Sequence, residues 1–436
     1  MPAPSPCDPG ILRDIMRLPK ILTTLKTYDS RQFGADLIAG VTVAMVALPL
    51  SLAIAIASGA EPAKGVITAI VAGFMISALG GSRVQIGGPT GAFIVVVFGV
   101  IAEHGYDGLV LATLMAGFIL LAAGWFRLGR LIGYIPEAVI NGFTIGIAII
   151  IATSQIGDFL GLETGPLPAA FLEKLPVLWQ ARASLSLPAL GIALLALGLI
   201  VALRRLSPRF PGLIVAVALA SALVAVLGWD VETIRSRFGE LPATLPAPVL
   251  PEFSWARFAE LFPSAVVIAF LAGIESLLSA MVADRMIQGQ HRPNAELTAQ
   301  GAANIASALF GGLPATGAIA RTATNVRAGG QTPVAGIIHA LTILLIMLLA
   351  SDLAGYMAMP ALAALLVITA WNMSEPQKWA EYARARPTDR MLLVLTMVLT
   401  VLIDLTVAIG VGVGIGLALR LGRATSVESD WTPPER

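Results

Sequence analysis

Two charged residues in this 436-residue chain lie where a charge is expensive. Glu275 sits within Ala272-Gly273-Ile274-Glu275-Ser276-Leu277-Leu278-Ser279, in an apolar span, and Arg321 within Ala318-Ile319-Ala320-Arg321-Thr322, in a shorter span broken by Gly and Pro. An ionisable side chain at mid-bilayer costs about 2.5–3.5 kcal/mol on insertion scales, so it is a functional candidate by default. A buried arginine can attract an anion. A buried glutamate can take up a proton or a small cation, and Ser279 lies one turn from Glu275 on the same helical face. The two can also neutralise each other as a buried pair.

The other polar residues carry weaker signals. His339 reads as a core histidine bonded to a neighbour, and Asn141 and Gln155 read as partners in bonds between helices. Asp352 and Asp404 fall at span ends, and His104 and His291 in loops. Three scattered histidines and Cys7, the single cysteine, offer no metal-site spacing. No Gly-Lys-Ser/Thr phosphate loop is present, which argues against ATP-driven transport by this chain. No nucleophile–base set appears either, which makes a membrane enzyme the weakest reading.

The elements that would position these residues follow from composition. The chain is 57% hydrophobic and only 13% charged, with a mean hydropathy of +0.84. A soluble domain carries about 25% charged residues, so the bilayer is the expected solvent. A net charge of +1 gives no general attraction to nucleic acid. Apolar runs long enough to span lie at 36–57, 65–80, 107–126, 136–155, 187–203, 211–229, 262–282, 296–312, 332–350, 354–372, 391–405 and 406–422. Two further segments, 83–103 and 313–327, are broken by Gly and Pro. With both counted, fourteen spans place 21 of the 28 Lys and Arg on the side of the termini. Only Lys64, Lys174, Arg182, Arg235, Arg237 and Arg257 fall on the other side. Omitting either broken segment mixes the charges. The positive-inside rule therefore predicts fourteen spans in a plasma (inner) membrane, with both termini cytoplasmic.

The broken segments resemble each other. Gly87-Gly88-Pro89-Thr90-Gly91-Ala92 parallels Gly311-Gly312-Leu313-Pro314-Ala315-Thr316-Gly317-Ala318. As spans 3 and 10 they are seven apart, and an odd repeat puts the second copy upside down. Inverted repeats with matching breaks point to a secondary transporter with a midplane site. Val84–Gly88 is expected to be extended, with Pro89 in the first turn of a helix reaching Glu103. Pro314–Ile319 is expected to be extended before a half-helix from Ala320 to Arg327. Two opposed helix starts would then present unpaired N–H groups and partial positive charge to an anion.

With Ala47-Leu48-Pro49-Leu50-Ser51-Leu52-Ala53 added to these motifs, the chain resembles the SulP (sulfate permease, solute carrier 26) family over nearly its whole length. The resemblance implies an all-α membrane fold of two intertwined seven-span inverted repeats, similar to the uracil permease. A core domain would comprise 36–129 and 262–351, and a gate domain 130–261 and 352–424, flanked by the segments 1–35 and 425–436. Carried over by motif, Leu50, Ile54, Thr90, Gly91, Ala92, Phe93, Ala320 and Arg321 would line the anion site. Glu275 and Ser279 would occupy the coupling-ion position. Relatives that use sodium have Asp where this chain has Glu275, which favours a proton or plain exchange. Most members carry a C-terminal STAS domain, whereas this chain stops soon after its last span; a natural short form and a truncation are both compatible with that.

These readings combine into a secondary active carrier of a small anion, whether bicarbonate, sulfate, chloride or a dicarboxylate. It would work by alternating access in the lipid bilayer, without a cofactor and with a proton or sodium ion as coupling ion. The resemblance allows a homodimer. The rivals are a proton-coupled nucleobase permease of the same fold, against which Arg321 argues, and an uncoupled anion channel.

Overall fold

The computed structural model describes residues 18–129, 136–165, 167–206, 211–403, 407, 408, 410–412, 414 and 415. Cys7, most of the expected span at 406–422 and the tail 425–436 lie outside the described residues. The fold is a helical inverted repeat. In the first half, helix α1 (Ser30–Ala57) and helix α2 (Pro62–Leu79) precede a two-residue strand, β1 (Gly87–Gly88), and helix α3 (Ile94–Trp125). Then come α4 (Glu137–Ser154), a peripheral helix α5 (Phe171–Gln180), α6 (Leu187–Leu206) and α7 (Gly212–Leu227). The second half repeats the opening pattern: α8 (Trp255–Ile287), α9 (Pro293–Leu309), strand β2 (Thr316–Gly317), α10 (Ile319–Arg327) and α11 (Pro333–Gly355). Helices α12 (Met359–Met373) and α13 (Pro387–Leu402) follow.

Several sequence boundaries shift. The expected spans 83–103 and 107–126 meet within α3 as two helical parts joined directly at one non-helical residue, Gly105, at φ 71° and ψ 177°. That backbone conformation suits a residue without a Cβ, so the chain turns there without a loop. Pro89 is not in the first turn of a helix. Pro89 lies in no helix, Thr90 is extended, a single 3₁₀ turn covers Gly91–Phe93, and α3 starts at Ile94. The half-helix α10 begins at Ile319, one residue before the expected Ala320.

Among the described residues, seven helical segments are long and apolar enough to cross a bilayer. Helix α9, with 17 residues, is shorter than these seven, and one of its faces is polar. Glu296, Gln300, Asn304 and Ser307 recur at helical spacing and are all buried. Their function is to satisfy the irregular backbone of both breaks. Asn304 donates from Nδ2 to the Ala315 carbonyl (2.9 Å), and its Oδ1 accepts from Ala315 N–H (2.9 Å), so a side chain does the work of a strand neighbour. Ser307 Oγ donates to Leu313 O (2.6 Å), and Thr68 Oγ1 accepts from Leu313 N–H (2.7 Å). On the other half, Glu296 accepts from Gly81 N–H (2.9 Å), Ser82 N–H (3.2 Å), Gln85 Nε2 (3.0 Å), Ser276 Oγ (3.0 Å) and Gln300 Nε2 (2.9 Å). Non-helical backbone at membrane depth requires such internal partners because lipid offers none.

The helices fall into two packing groups. Helices α1, α2, α3, α8, α9, α10 and α11 pack chiefly on one another, as do α4, α6, α7, α12 and α13; α7 and α12 also touch α1. Small residues set the closest approaches. A carbon added at Gly301 on α9 would lie 2.7 Å from the Gly117 carbonyl on α3, and one at Gly117 would lie 2.9 Å from the Gly301 carbonyl. In the second group, Gly142 and Gly146 of α4, one turn apart, meet Leu393 and Thr400 of α13. In lipid, where apolar burial does not drive association, such backbone proximity supplies van der Waals contact.

Two outcomes follow. Gly301→Val should destabilise the protein by about 1–3 kcal/mol through overpacking, whereas Gly198→Ala, at a glycine with no neighbouring atom within 4 Å, should be neutral or slightly stabilising. Asn304→Leu should cost about 1–3 kcal/mol for each of the two Ala315 groups left unpaired. Thermal unfolding of purified protein in detergent, followed by intrinsic fluorescence, measures all three.

Candidate functional site

Strands β1 and β2 cross in the middle of the first packing group as an antiparallel pair, with Gly87 opposite Gly317 and Gly88 opposite Thr316. The ladder is extended by Ala318 N–H donating to Ile86 O (2.8 Å) and by Ile86 N–H donating to Thr322 Oγ1 (3.0 Å). The 3₁₀ turn at Gly91 therefore begins on one side of the crossing and α10 on the other. Neither helix start has a side-chain cap: Thr90 and Ala318, the two N-cap residues, are extended and make no capping bond. Their first-turn N–H groups have no intrahelical partner.

Arg321 lies in the first turn of α10 and is 1% exposed. Its Nη2 donates to Ser51 Oγ (3.1 Å) on α1 and to the Pro89 carbonyl (3.0 Å). Among the described residues, Nε and Nη1 have no hydrogen-bond partner, and no carboxylate lies within 4 Å of the guanidinium. The backbone at Gly88, with φ 148°, runs against Nη1 so closely that a Cβ there would collide with it. Gly88 is thus required twice, for its conformation and for the approach of the arginine.

Glu275 and Arg321 do not form the direct pair that the sequence allowed. Thr90 Oγ1 donates to Glu275 Oε2 (2.8 Å), which ties the acid on α8 to the N-cap of the other half-helix. Ser279, one turn along α8, is fully buried and donates to Thr322 Oγ1 on α10 (3.3 Å). Glu275 and Ser279 therefore share a helix face but hold different partners, one in each half of the crossing.

The remaining candidate residues surround this centre unevenly. Thr90, Gly91, Ala92 and Phe93 are buried at the first helix start; Ile319 and Ala320 are exposed at the second. Leu50 and Ile54 are buried on α1, flanking Ser51. A carbon added at Gly91 would lie 3.1 Å from Met373 Sδ and 3.5 Å from Ile151 Cδ1. Those side chains belong to α12 and α4, so the second packing group closes directly onto the first helix start.

Three participants were not legible in the sequence. Ser51 is one hydroxyl in an apolar helix, and Ile151 and Met373 are ordinary apolar residues of ordinary spans. Glu296, the first residue of the expected span 296–312, was not singled out; the polar stripe Glu296, Gln300, Asn304 and Ser307 was the available signal. His339 is fully buried as expected, but neither ring nitrogen has a hydrogen-bond partner among the described residues, contrary to the expected bond to a neighbour. Its ring faces Gly73 of α2, where an added carbon would lie 3.7 Å from Cε1 and 3.2 Å from the Gly87 carbonyl.

Comparison with known proteins agrees with this geometry. Residues 33–396 match the sulfate permease family. The putative sulfate transporter YvdB of Bacillus subtilis is 42% identical over 372 residues, which cover 85% of this chain and 70% of that protein. The bicarbonate transporter BicA of Picosynechococcus is 33% identical over 350 residues, covering 77% of this chain but only 61% of the relative. The transmembrane domain of a cyanobacterial BicA superposes with a TM-score of 0.79 at 32% identity, covering 87% of this chain and 98% of the other. SLC26A9 matches at TM-score 0.84 with 17% identity, over 95% of this chain and 69% of that one, which is a likeness of fold. On the family match over most of its length and a relative 42% identical across 85% of it, this chain belongs to the sulfate permease family.

Proposed function

We propose that this chain is a secondary active transporter of a small anion, with the anion bound at the β1–β2 crossing between the two uncapped helix starts. The observation that carries the reading is Arg321: a buried guanidinium bonded only to neutral acceptors, with no carboxylate within 4 Å among the described residues. A buried charge needs compensation. An anion at the helix starts would supply it and would also take up first-turn N–H groups. Its relatives are sulfate and bicarbonate transporters by name, so these two anions are the first to test.

The two packing groups supply the moving parts of the proposal. Helices α1, α2, α3 and α8–α11 would carry the site; α4, α6, α7, α12 and α13 would form the gate. Ile151 and Met373 seated against Gly91 would close the seam on one side of the anion. Movement of one group against the other would expose the site alternately, and anion binding would lower the cost of carrying Arg321 through that movement.

Glu275 is the proposed coupling residue. Ionised, it would compete with the anion for the positive field of Arg321; protonated, it would not. Through Thr90 it is tied to the helix start that would bind the anion. A proton taken up with each anion follows naturally from that placement.

Purified protein in liposomes, assayed with labelled sulfate and labelled bicarbonate under imposed pH or sodium gradients, tests both assignments. Arg321→Ala should reduce uptake at least about tenfold, the effect of losing roughly 1.4 kcal/mol or more of anion stabilisation. Uptake that survives this change would remove Arg321 from the site. Glu275→Gln should retain anion exchange but lose the acceleration by an inward proton gradient; a variant still driven by the gradient would exclude Glu275 as the coupling residue.

A further inference from the structure

The peripheral helix α5 is turned the opposite way from a solvent-facing helix. Its leucines and tryptophan (Leu172, Leu175 and Trp179) are exposed, while the residues it buries are Lys174 and Leu178. Lys174 is 4% exposed. A lysine that far buried is ordinarily paired with a carboxylate. Here no carboxylate lies within 4 Å among the described residues. Instead the ammonium stands over the ring of Phe98, 5.1 Å from its centroid. Burial alone pulls the Lys174 pKa below the ordinary lysine value, and no charged neighbour contributes.

The place of Phe98 gives this contact its meaning. Phe98 is on α3, in the helix that follows the 3₁₀ turn holding Gly91. Gly91 faces Ile151 and Met373 of the other packing group. Its contact with Lys174 joins α3 to α5, which packs against α13 of the second group, so Phe98 lies on the seam between the groups, about 7.5 Å of helix rise beyond Phe93. It is also in contact range of Gly59, at the turn where α1 ends, since a Cβ there would lie 3.3 Å from its ring. Helix α5, packed against α13, thus delivers an unpaired cation to the mouth of the seam on the face where α1 ends. A ring face attracts an ammonium without quenching its charge, as a carboxylate would.

We propose that Lys174 is an anion-recruiting site at the mouth of the seam, which binds small inorganic anions and passes them to the crossing at Arg321. The proposal rests on the transport reading and adds a second, outlying position to it. A single-sign charge at the entrance of a low-dielectric cleft raises local counter-ion concentration and arrival rate, without altering the step that moves the bound anion.

The test uses the full chain in liposomes, with initial uptake of labelled sulfate and labelled bicarbonate measured against concentration. Lys174→Met keeps the apolar stem and its packing but removes the charge. KM should rise about 3- to 10-fold while the maximal rate changes by less than about twofold. Lys174→Arg should restore KM. Raising ionic strength should increase the wild-type KM and leave that of Lys174→Met nearly unchanged. If Lys174→Met does not give monodisperse protein, Lys174→Gln serves the same comparison. Phe98→Leu removes the ring face but not the charge, and should leave KM near wild type. Three results would overturn the proposal: an unchanged KM in Lys174→Met, failure of Lys174→Arg to restore it, or a Phe98→Leu variant that reproduces the Lys174→Met defect, which would make the pair a mechanical latch. The two readings fail separately. Abolition of uptake by Arg321→Ala alongside a silent Lys174→Met refutes recruitment alone, whereas full activity of Arg321→Ala, or a wild type that moves neither anion, refutes the transport reading beneath it.

Discussion

The antiparallel pairing of Gly87–Gly88 with Thr316–Gly317 is the constraint on which the rest of this structure depends. Backbone that leaves the helix at membrane depth must find partners inside the protein, because lipid supplies none. Each half of the repeat brings one broken segment, and neither segment can pair with itself. The halves must therefore interleave, and the crossing lies where they meet. Much of the unusual chemistry of the core serves this join. The Asn304 amide pairs Ala315, Thr68 and Ser307 take the two groups of Leu313, and Glu296 gathers Gly81 and Ser82 on the other side. Gly317 leaves room for Gln85, which bonds Glu296 and Ser276.

The same crossing determines the electrostatics. Because both strands end at the midplane, both following helices start there, and uncapped N-terminal N–H groups accumulate in one place. Arg321 adds a full charge beside them. Its two bonds go to a serine hydroxyl and a proline carbonyl, acceptors that orient the guanidinium without cancelling its charge. Glu275 is bonded to Thr90 at the first helix start instead. Held this way, the acid and the base keep separate partners instead of closing into an ion pair.

Much of the architecture was legible because each signal was local or periodic. The Gly-Gly-Pro-Thr-Gly-Ala segment and its counterpart announced two breaks, and the sidedness of Lys and Arg required both to be counted as spans. Pro89 misled: it suits a first helical turn, but its carbonyl is engaged by Arg321 and Thr90 reaches to Glu275, so the chain stays out of the helix through Thr90. Gly105 divides two helical parts between the expected spans, and the join is tighter than a loop because a single residue with positive φ makes it. Ser51, Ile151 and Met373 gave no signal at all. Their importance comes from what stands opposite them, and that is set by packing between helices far apart in sequence.

By itself, the sequence determined the solvent, the repeat, the two breaks and the identities of the buried acid and base. These follow from hydropathy, charge placement and residue type, which are properties of segments read one at a time. Only the tertiary structure decided that Arg321 bonds neutral acceptors rather than Glu275, that Ser279 belongs to Thr322, and that Lys174 turns inward to Phe98. Those pairings join residues from 43 to 270 positions apart in hydrogen-bonded contacts such as Ser279–Thr322 and Ser51–Arg321. No local propensity encodes them, because each depends on where the two interleaved halves bring their helices into contact.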